Sequence, residues 1–305
     1  MRTSVVILTL NAGQQLAGIL EAIKRQTLQP VEVLVLDSES DDNTRTVAQR
    51  EGARVLIIPR RDFDHGATRN VGLDAVRGDI AVYTVQDAIP FDENWLANLC
   101  RPIMIDANVG VVTGRQVPRT DATALEKVTR LFTYPEEGYR RDASDLTRMG
   151  LRAAFCTDTN AAYRAVALRD VGKFPAPCIV NEDQAAAIRL LRAGYSLVYE
   201  PRAAIVHSHD YGFWQQFQRY FDMGVFFSGK EVAAVGKSTT SALWYLQRHL
   251  REVLRRGGPG LVGSWFVDSL ARIMGVGLGR NYRALPPSLR SFFSRQKSYW
   301  SRSSN

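Results

Sequence analysis

Apolar residues in the first third of the chain come in short unbroken runs, not in alternation. Residues 4–10 (Ser-Val-Val-Ile-Leu-Thr-Leu), 31–36 (Val-Glu-Val-Leu-Val-Leu), 55–58 and 80–85 (Ile-Ala-Val-Tyr-Thr-Val) are such runs. Runs of this kind predict strands covered on both faces, as in a parallel sheet. Between them the period changes to that of a helix. Leu16, Leu20 and Ile23 fall at helical spacing, and so do Val71, Leu73, Ala75 and Val76 after a glycine-punctuated loop. The block Asp37-Ser38-Glu39-Ser40-Asp41-Asp42-Asn43-Thr44 is rich in capping side chains, so a helix starts there. Strand, helix, strand, helix, strand predicts an α/β fold with a mostly parallel central sheet.

The middle of the chain continues the pattern. Trp95 and Leu96 begin a helix, and residues 109–113 form a strand followed by Gly114-Arg115-Gln116. Residues 119–152 are charged and helical, broken at Pro135-Glu136-Glu137-Gly138, and such an insertion between strands can shape an acceptor site. Residues 155–164 lead into a helix with Val166, Leu168 and Val171. Asn181-Glu182-Asp183 opens a helix over Ala185 to Leu191, closed by Ala193-Gly194. Residues 197–199 and 203–206 predict two further strands, the second running directly into His207-Ser208-His209-Asp210.

Past residue 237 the character shifts. Leu243, Leu246, Leu250, Val253 and Leu254 make one apolar helical face, and Trp265, Phe266, Leu270, Ile273 and Met274 belong to a second helix. The stretch from Leu261 to Leu278 comes nearest to a membrane span, but Asp268 and Arg272 interrupt it, so no stretch is expected to reach spanning length. From Lys237 to Asn305 twelve Lys and Arg stand against Glu252 and Asp268, a local charge of +10. The whole chain carries +8, which leaves the other residues at −2. A basic, amphipathic, aromatic tail suits the anionic surface of a membrane. The alternatives are two helices packed on the core with a solvated basic face, or packing on a second subunit in a homo-oligomer. No nucleic-acid recognition motif accompanies the charge, so nucleic acid is not expected as a partner.

Composition sets the outer limits. With 305 residues and 45% apolar content the chain can bury one large domain with an appendage. Cys100, Cys156 and Cys178 are odd in number and lack CxxC spacing, so neither a disulfide framework nor a zinc knuckle is expected, and a reducing cytoplasmic setting fits.

The candidate chemistry lies at strand ends, where open α/β sheets bind ligands. Asn11 follows the first strand and Asp37 ends the second. A carboxylate there can accept from a base N–H or a ribose hydroxyl, or can cap the next helix. Asp87 follows the run ending at Val85, and Pro90 closes that segment. It can hold a divalent cation through hard oxygen ligation, with an imidazole from His207 or His209. Arg69 offers a planar fork to a diphosphate, or is an exposed helix charge. His65 can bond the phosphate or the sugar, or has no task. Glu182 and Asp183 sit at a helix N-terminus. They form either a dipole-favoured structural pair with low pKa values or a site with a general base. No P-loop and no dinucleotide fingerprint occurs.

As a set, Thr9-Leu10-Asn11, the block 36–44, Arg69-Asn70, the strand ending at Asp87, and Glu182-Asp183 resemble the inverting glycosyltransferase family two, over roughly residues 3–230. His65-Gly66-Ala67-Thr68-Arg69-Asn70, Gln86-Asp87-Ala88-Ile89-Pro90 and His207-Ser208-His209 narrow the likeness to its bacterial rhamnosyltransferases. The resemblance implies a GT-A nucleotide-sugar fold over residues 1–230 and a basic helical extension over 231–305. It implies transfer of L-rhamnose from dTDP-L-rhamnose to a saccharide or lipid-diphosphate-linked acceptor in bacterial surface polysaccharide synthesis. The setting would be cytoplasmic, peripheral at the inner face of the plasma membrane. A UDP- or GDP-sugar transferase and a non-catalytic nucleotide-sugar-binding scaffold are the alternatives. Carried over, Asp183 is the base. Thr9, Asn11, Asp37, His65, Arg69, Gln86 and Asp87 meet the donor, Asp37 at the nucleobase and Arg69 at the diphosphate. Asp87, His207 and His209 hold Mg²⁺ or Mn²⁺, and Trp95, Asp158, Asn160 and Glu182 meet the acceptor. The family's Asp-x-Asp has Val85 at its first position here.

Overall fold

The computed structural model describes residues 1–233, 235 and 242–302. The part of the expected extension between Lys237 and Ser241, the side chains of Ala242, Leu243 and Arg302, and residues 303–305 lie outside the described residues.

The first third alternates as its periodicity requires: β1 (Thr3–Thr9), α1 (Gly13–Lys24), β2 (Glu32–Asp37), α2 (Thr44–Arg50), β3 (Arg54–Ile57), α3 (His65–Ala75) and β4 (Ile80–Val85). Strand β1 pairs in parallel with both β2 and β4, and β3 extends the sheet beyond β2. Side chains of adjacent strand residues point to opposite faces. Val5 and Ile7 therefore meet Leu16, Ile19, Leu99 and Ile103 on one side. Val6 meets Leu36, Leu73, Tyr83 and Leu168 on the other. Both faces are covered, which is why the strands read as continuous apolar runs. Each such side chain contributes about 1.5–3 kcal/mol by leaving water.

The middle brings β5 (Ile89–Pro90), α4 (Trp95–Ile105), β6 (Val109–Val117), α5 (Ala124–Thr133), β7 (Tyr139–Arg141), α6 (Ala143–Met149), β8 (Asn160–Arg164), α7 (Ala165–Asp170), α8 (Glu182–Arg192) and β9 (Ser196–Val206). The sheet runs β3-β2-β1-β4-β8-β6-β9-β5, with β7 paired to β9. Three readings change. The stretch expected to lead into a helix holds β8, which is antiparallel to both β4 and β6. The charged insertion holds the short strand β7. The two strands expected at 197–199 and 203–206 are one strand, with a register shift where Gly114 faces Glu200 and Arg115 faces Ala204. Pro201 and Arg202 sit in that bulge, a position where a missing ladder donor is tolerated.

The C-terminal part is helical: α9 (Phe213–Phe227), α10 (Lys230–Ala233), α11 (Ala242–Gly257), α12 (Val262–Arg280), α13 (Pro287–Phe293) and α14 (Lys297–Arg302). Helix α12 lies along α9 at backbone distance. A Cβ on Gly279 would fall 2.1 Å from the Phe221 carbonyl oxygen, and one on Gly275 2.5 Å from that of Phe217. Residues 259–280 form a helical stretch long and apolar enough, by length and composition, to cross a membrane. The expected interruption does not break it, because Arg272 Nε pairs with Asp268 Oδ2 one turn away at 2.6 Å, and Arg272 also donates to Tyr220. A small core joins the extension to the main body. Cys178, Ile179 and Ala185 pack with Phe221, Val225 and Trp300, and Phe293 and Tyr299 lie against them. Beside it, the buried Asp222 accepts from Ser294 Oγ at 2.5 Å and from the Arg295 amide at 3.0 Å.

Candidate functional site

The C-terminal ends of β1, β2 and β4 meet at one edge of the sheet, and their loops are tied together by side chains. Asp37, fully buried, accepts from Thr9 Oγ1 at 3.2 Å and from the amide and hydroxyl of Ser40. Asn11 takes a left-handed backbone and accepts from the Asp41 amide at 2.8 Å, while its own amide donates to Ser40. The Leu10 amide donates to Gln86 Oε1 at 2.6 Å, which links the ends of β1 and β4. Thr9, Asn11, Asp37 and Gln86 are thus brought together as the frame of one groove wall. Among the described residues Asn11, Glu39, Lys173 and Asn181 are left-handed without being glycine, and Asn11 and Glu39 belong to these loops. Such conformations persist where the surroundings fix them, and they cluster at ligand sites.

Asp87, His207 and His209 converge just beyond β4 and β9, their ligand atoms all within 4.8 Å of one another. His207 Nε2 lies 3.6 Å from Asp87 Oδ1, and His209 Nε2 lies 3.6 Å from Oδ2. The His207 ring is buried, and its Nδ1 is 2.9 Å from Gln116 Oε1. An amide oxygen only accepts, so Nδ1 donates to it and Nε2 is the nitrogen that faces Asp87. Arg130 Nη1 donates to the same Gln116 oxygen at 2.6 Å and fixes that amide. Burial and the neighbouring His207 push His209 down to about 4, so it is neutral at physiological pH. Burial raises Asp87, but His207 and then His209 beside it outweigh that and hold the carboxyl below its usual value. Two imidazoles and a carboxylate fit a divalent transition ion, and a ligating histidine whose other nitrogen donates to a fixed acceptor is the usual supporting arrangement.

The second carboxylate group centres on Asp183 in the first turn of α8. Its Oδ2 accepts from the Asp158 amide at 3.0 Å. Arg69, on α3, is buried between Asp158 and Glu182: Nε lies 2.7 Å from Asp158 Oδ2 and Nη1 2.7 Å from Glu182 Oε1. The Asp158 carboxylate also accepts from Tyr163 Oη at 2.7 Å. Burial raises Glu182, but the guanidinium of Arg69 more than offsets it, and its pKa falls. Asp183 goes the other way. Burial disfavours its charge, and the carboxylates of Glu182 and Asp158 raise it further, well above the ordinary range. The helix-dipole expectation of two low pKa values thus holds in direction for Glu182 and fails for Asp183. A carboxyl tuned upward in this way is a stronger base.

The two centres are joined. Gln116 Nε2 donates to Thr157 Oγ1 at 3.4 Å, next in sequence to the residue whose amide holds Asp183. Gln116 therefore touches His207 with its oxygen and the Asp183 side with its nitrogen. Sequence reasoning noted this residue only as following a strand. Arg69 is withdrawn from the solvent-exposed helix surface considered for it, because α3 points it into the carboxylates behind the groove. His65 opens α3, with its ring against Phe63 at 5.1 Å. Trp95 and Asn160, expected at the acceptor, are corrected by burial. Trp95 is 1% and Asn160 0% exposed, and Trp95 Nε1 donates to Asn160 Oδ1 at 2.8 Å. They pin α4 to β8. Asp158 and Glu182, also expected there, face Arg69 instead.

A family model described as Glycosyl transferase family 2 matches residues 4–172. Over 304 residues the chain is 31% identical to the O-antigen chain rhamnosyltransferase RfbN of Salmonella typhimurium, covering 98% of this chain and 96% of that protein. It is 33% identical over 301 residues to the O-antigen chain rhamnosyltransferase WbaN of Salmonella anatum, covering 97% and 95%. In fold it is similar to the mannosyltransferase PcManGT from Pyrobaculum calidifontis, solved in complex with GDP-Man and Mn²⁺. The TM-score is 0.59 at 18% identity, covering 99% of this chain and 86% of that one.

Proposed function

The chain belongs to glycosyl transferase family 2, and from that premise we propose that it moves L-rhamnose from dTDP-L-rhamnose, with inversion, onto a saccharide acceptor in O-antigen synthesis. The observation that carries the reading is the pairing of an ion-competent cluster with an upward-tuned carboxyl, joined through one buried glutamine. The near-full-length likeness to two proteins named O-antigen chain rhamnosyltransferases supports the sugar and the pathway.

Inverting transfer makes one bond and breaks one on opposite faces of the anomeric carbon. Asp183 takes the proton of the acceptor hydroxyl as its oxygen attacks. The bond from the anomeric carbon to the diphosphate oxygen breaks, and the electron pair leaves with the nucleoside diphosphate. A divalent ion held by Asp87, His207 and His209 would supply charge neutralisation to that leaving group. With two imidazoles among the ligands, Mn²⁺ suits the set better than Mg²⁺, which favours all-oxygen sites. The Asp158 amide holds Asp183 in place, and Arg69 holds Asp158 and Glu182 on either side. The loop frame of Thr9, Asn11, Asp37 and Gln86 shapes the nucleotide end of the groove.

The extension rests, on this reading, against a membrane that carries the lipid-linked acceptor. Phe266, Leu270 and Ile273 form an exposed stripe on α12, opposite the glycines that meet α9. Arg280, Arg283 and Arg290 follow it in sequence. One face of α12 is bound to the protein, so the helix lies in the interface plane rather than across it.

The test is calorimetry of the full chain with Mn²⁺ against dTDP-L-rhamnose, UDP-glucose and GDP-mannose, followed by transfer assays. Tight binding of dTDP-L-rhamnose alone is expected. Asp183→Asn should keep donor binding and lose at least about a thousandfold in transfer rate, in the range seen when a central catalytic group is removed. Preference for UDP-glucose or GDP-mannose would discard rhamnose, and full turnover by Asp183→Asn would discard the base.

A further inference from the structure

We infer that the cavity where the first turns of α5, α9 and α12 meet is the subsite for the saccharide chain of the acceptor, which rests on the glycosyl-transfer reading above. The cavity measures about 500 Å³, inside the range of about 300–1,000 Å³ usual for ligand sites. Its wall is the far side of the ion cluster. Tyr211, which lines it, stacks on the His209 ring at 5.1 Å and 23°. Thr123, at the start of α5, also lines it and donates amide and hydroxyl to Asp210 Oδ1 at 2.9 and 2.7 Å. The His209 amide donates to Glu126 of the same helix turn at 3.3 Å. A molecule in the cavity thus lies one side chain away from the ion-binding groups.

The lining states the chemistry of the occupant. Gln216 is 6% exposed; its Nε2 donates to Asp268 Oδ1 at 2.6 Å, and its Oε1 has no hydrogen-bond partner among the described residues. A buried amide oxygen left unpaired is costly, and a turn of the Gln216 side chain toward the cavity would let a ligand hydroxyl satisfy it. Tyr211 and Leu125 offer apolar surface for the C–H faces of a sugar ring. Asp268 is the one charged group of the lining, and it is already paired with Arg272. A diphosphate would meet no free cation there, whereas a neutral polyol meets hydroxyl, amide and ring. The cavity is built from the α5 insertion and the C-terminal extension together, which gives the extension a part in acceptor recognition.

The structure supplies a clean probe. A Cβ on Gly263 meets no atom within 4 Å, so Gly263→Leu fills cavity space without displacing the protein, and Ser264→Trp does the same from an exposed position of the same turn. Radiolabelled dTDP-L-rhamnose is supplied to the full-length protein with membranes of the producing strain deleted for its gene, which retain the unextended acceptor. A second series uses the water-soluble glycan freed from those membranes by mild acid. Both variants should keep the wild-type Tm and donor Kd and raise the acceptor KM at least tenfold in both series. An unchanged acceptor KM in the folded variants overturns the subsite while leaving the transferase reading intact. A defect seen with the membranes but absent with the free glycan overturns it in favour of the lipid anchor as occupant. Failure of the wild type to transfer any donor sugar overturns the transferase reading and the subsite with it.

Discussion

At the scale of single residues, Gln116 serves both centres. Its oxygen fixes the His207 tautomer and its nitrogen reaches the loop that holds Asp183. Gln116→Leu keeps the volume and deletes both contacts. We expect Mn²⁺ affinity to fall by about 10–100-fold, the usual cost of losing an outer partner of a ligating histidine, with Asp87 and the fold intact. Manganese titration by electron paramagnetic resonance, with dTDP present, measures this. An unchanged affinity would reduce Gln116 to a packing residue. Asp87, His207 and His209 were legible in the sequence because each sits at a strand end, and strand ends of one sheet converge. Gln116 was not, because its task depends on a pairing with a residue 91 positions away. The same reason misled the reading of Trp95 and Asn160. Aromatic and amide side chains look like ligand groups until the register of β8 against β4 turns Asn160 inward and Trp95 of α4 meets it there.

At the scale of elements, the contact of α9 with α12 depends on having no side chain where the backbones touch. Gly279→Ala would put a Cβ 2.1 Å from a carbonyl oxygen that cannot move without breaking α9. We expect a loss of about 1–3 kcal/mol from overpacking, read as a lower urea midpoint. Gly263→Ala on the same helix meets open space and should cost nothing or raise helix stability slightly. Equal midpoints for the two would show that the helices separate easily. Elements with one unbroken period were readable from the chain: β1, β2, β4 and α8 fall within a residue or two of their expected bounds, and α1 holds Leu16, Leu20 and Ile23 as their spacing requires. Strand β8 was hidden because Asn-Ala-Ala-Tyr-Arg is short, alanine-rich and polar at both ends. Its strand character comes from the partners on each side, not from its own propensity.

At the scale of the whole molecule, Asp222 joins the extension to the body and gives stability a pH dependence. Burial pushes its carboxyl up to about 7 from 3.8. Between those values the folded chain holds a proton that the unfolded chain has released. Stability therefore falls as pH rises through that window, and the contribution is gone above it. The Tm of the wild type should drop more steeply from pH 5 to pH 8 than that of Asp222→Asn in scanning calorimetry. Asp158, also pushed up to about 7, acts in both proteins, so the difference between the slopes isolates Asp222. Parallel slopes would remove Asp222 from the account. The helical character of the C-terminal part was visible as a change in charge and period. How closely that part is joined to the body was not, since charge counts do not tell which buried acid meets which backbone amide.

The packing of Phe293, Tyr299 and Trp300 against Cys178 and Ile179 has a consequence for the order in which the protein matures. The segment that leads into Asp183 is translated more than a hundred residues before the aromatic rings that brace it. On a ribosome the sheet can close and the groove can form while that segment still lacks its support. Full support of that segment then waits until α14 has left the exit tunnel and folded back, so a bulky group inserted beside α14 competes with this step of assembly.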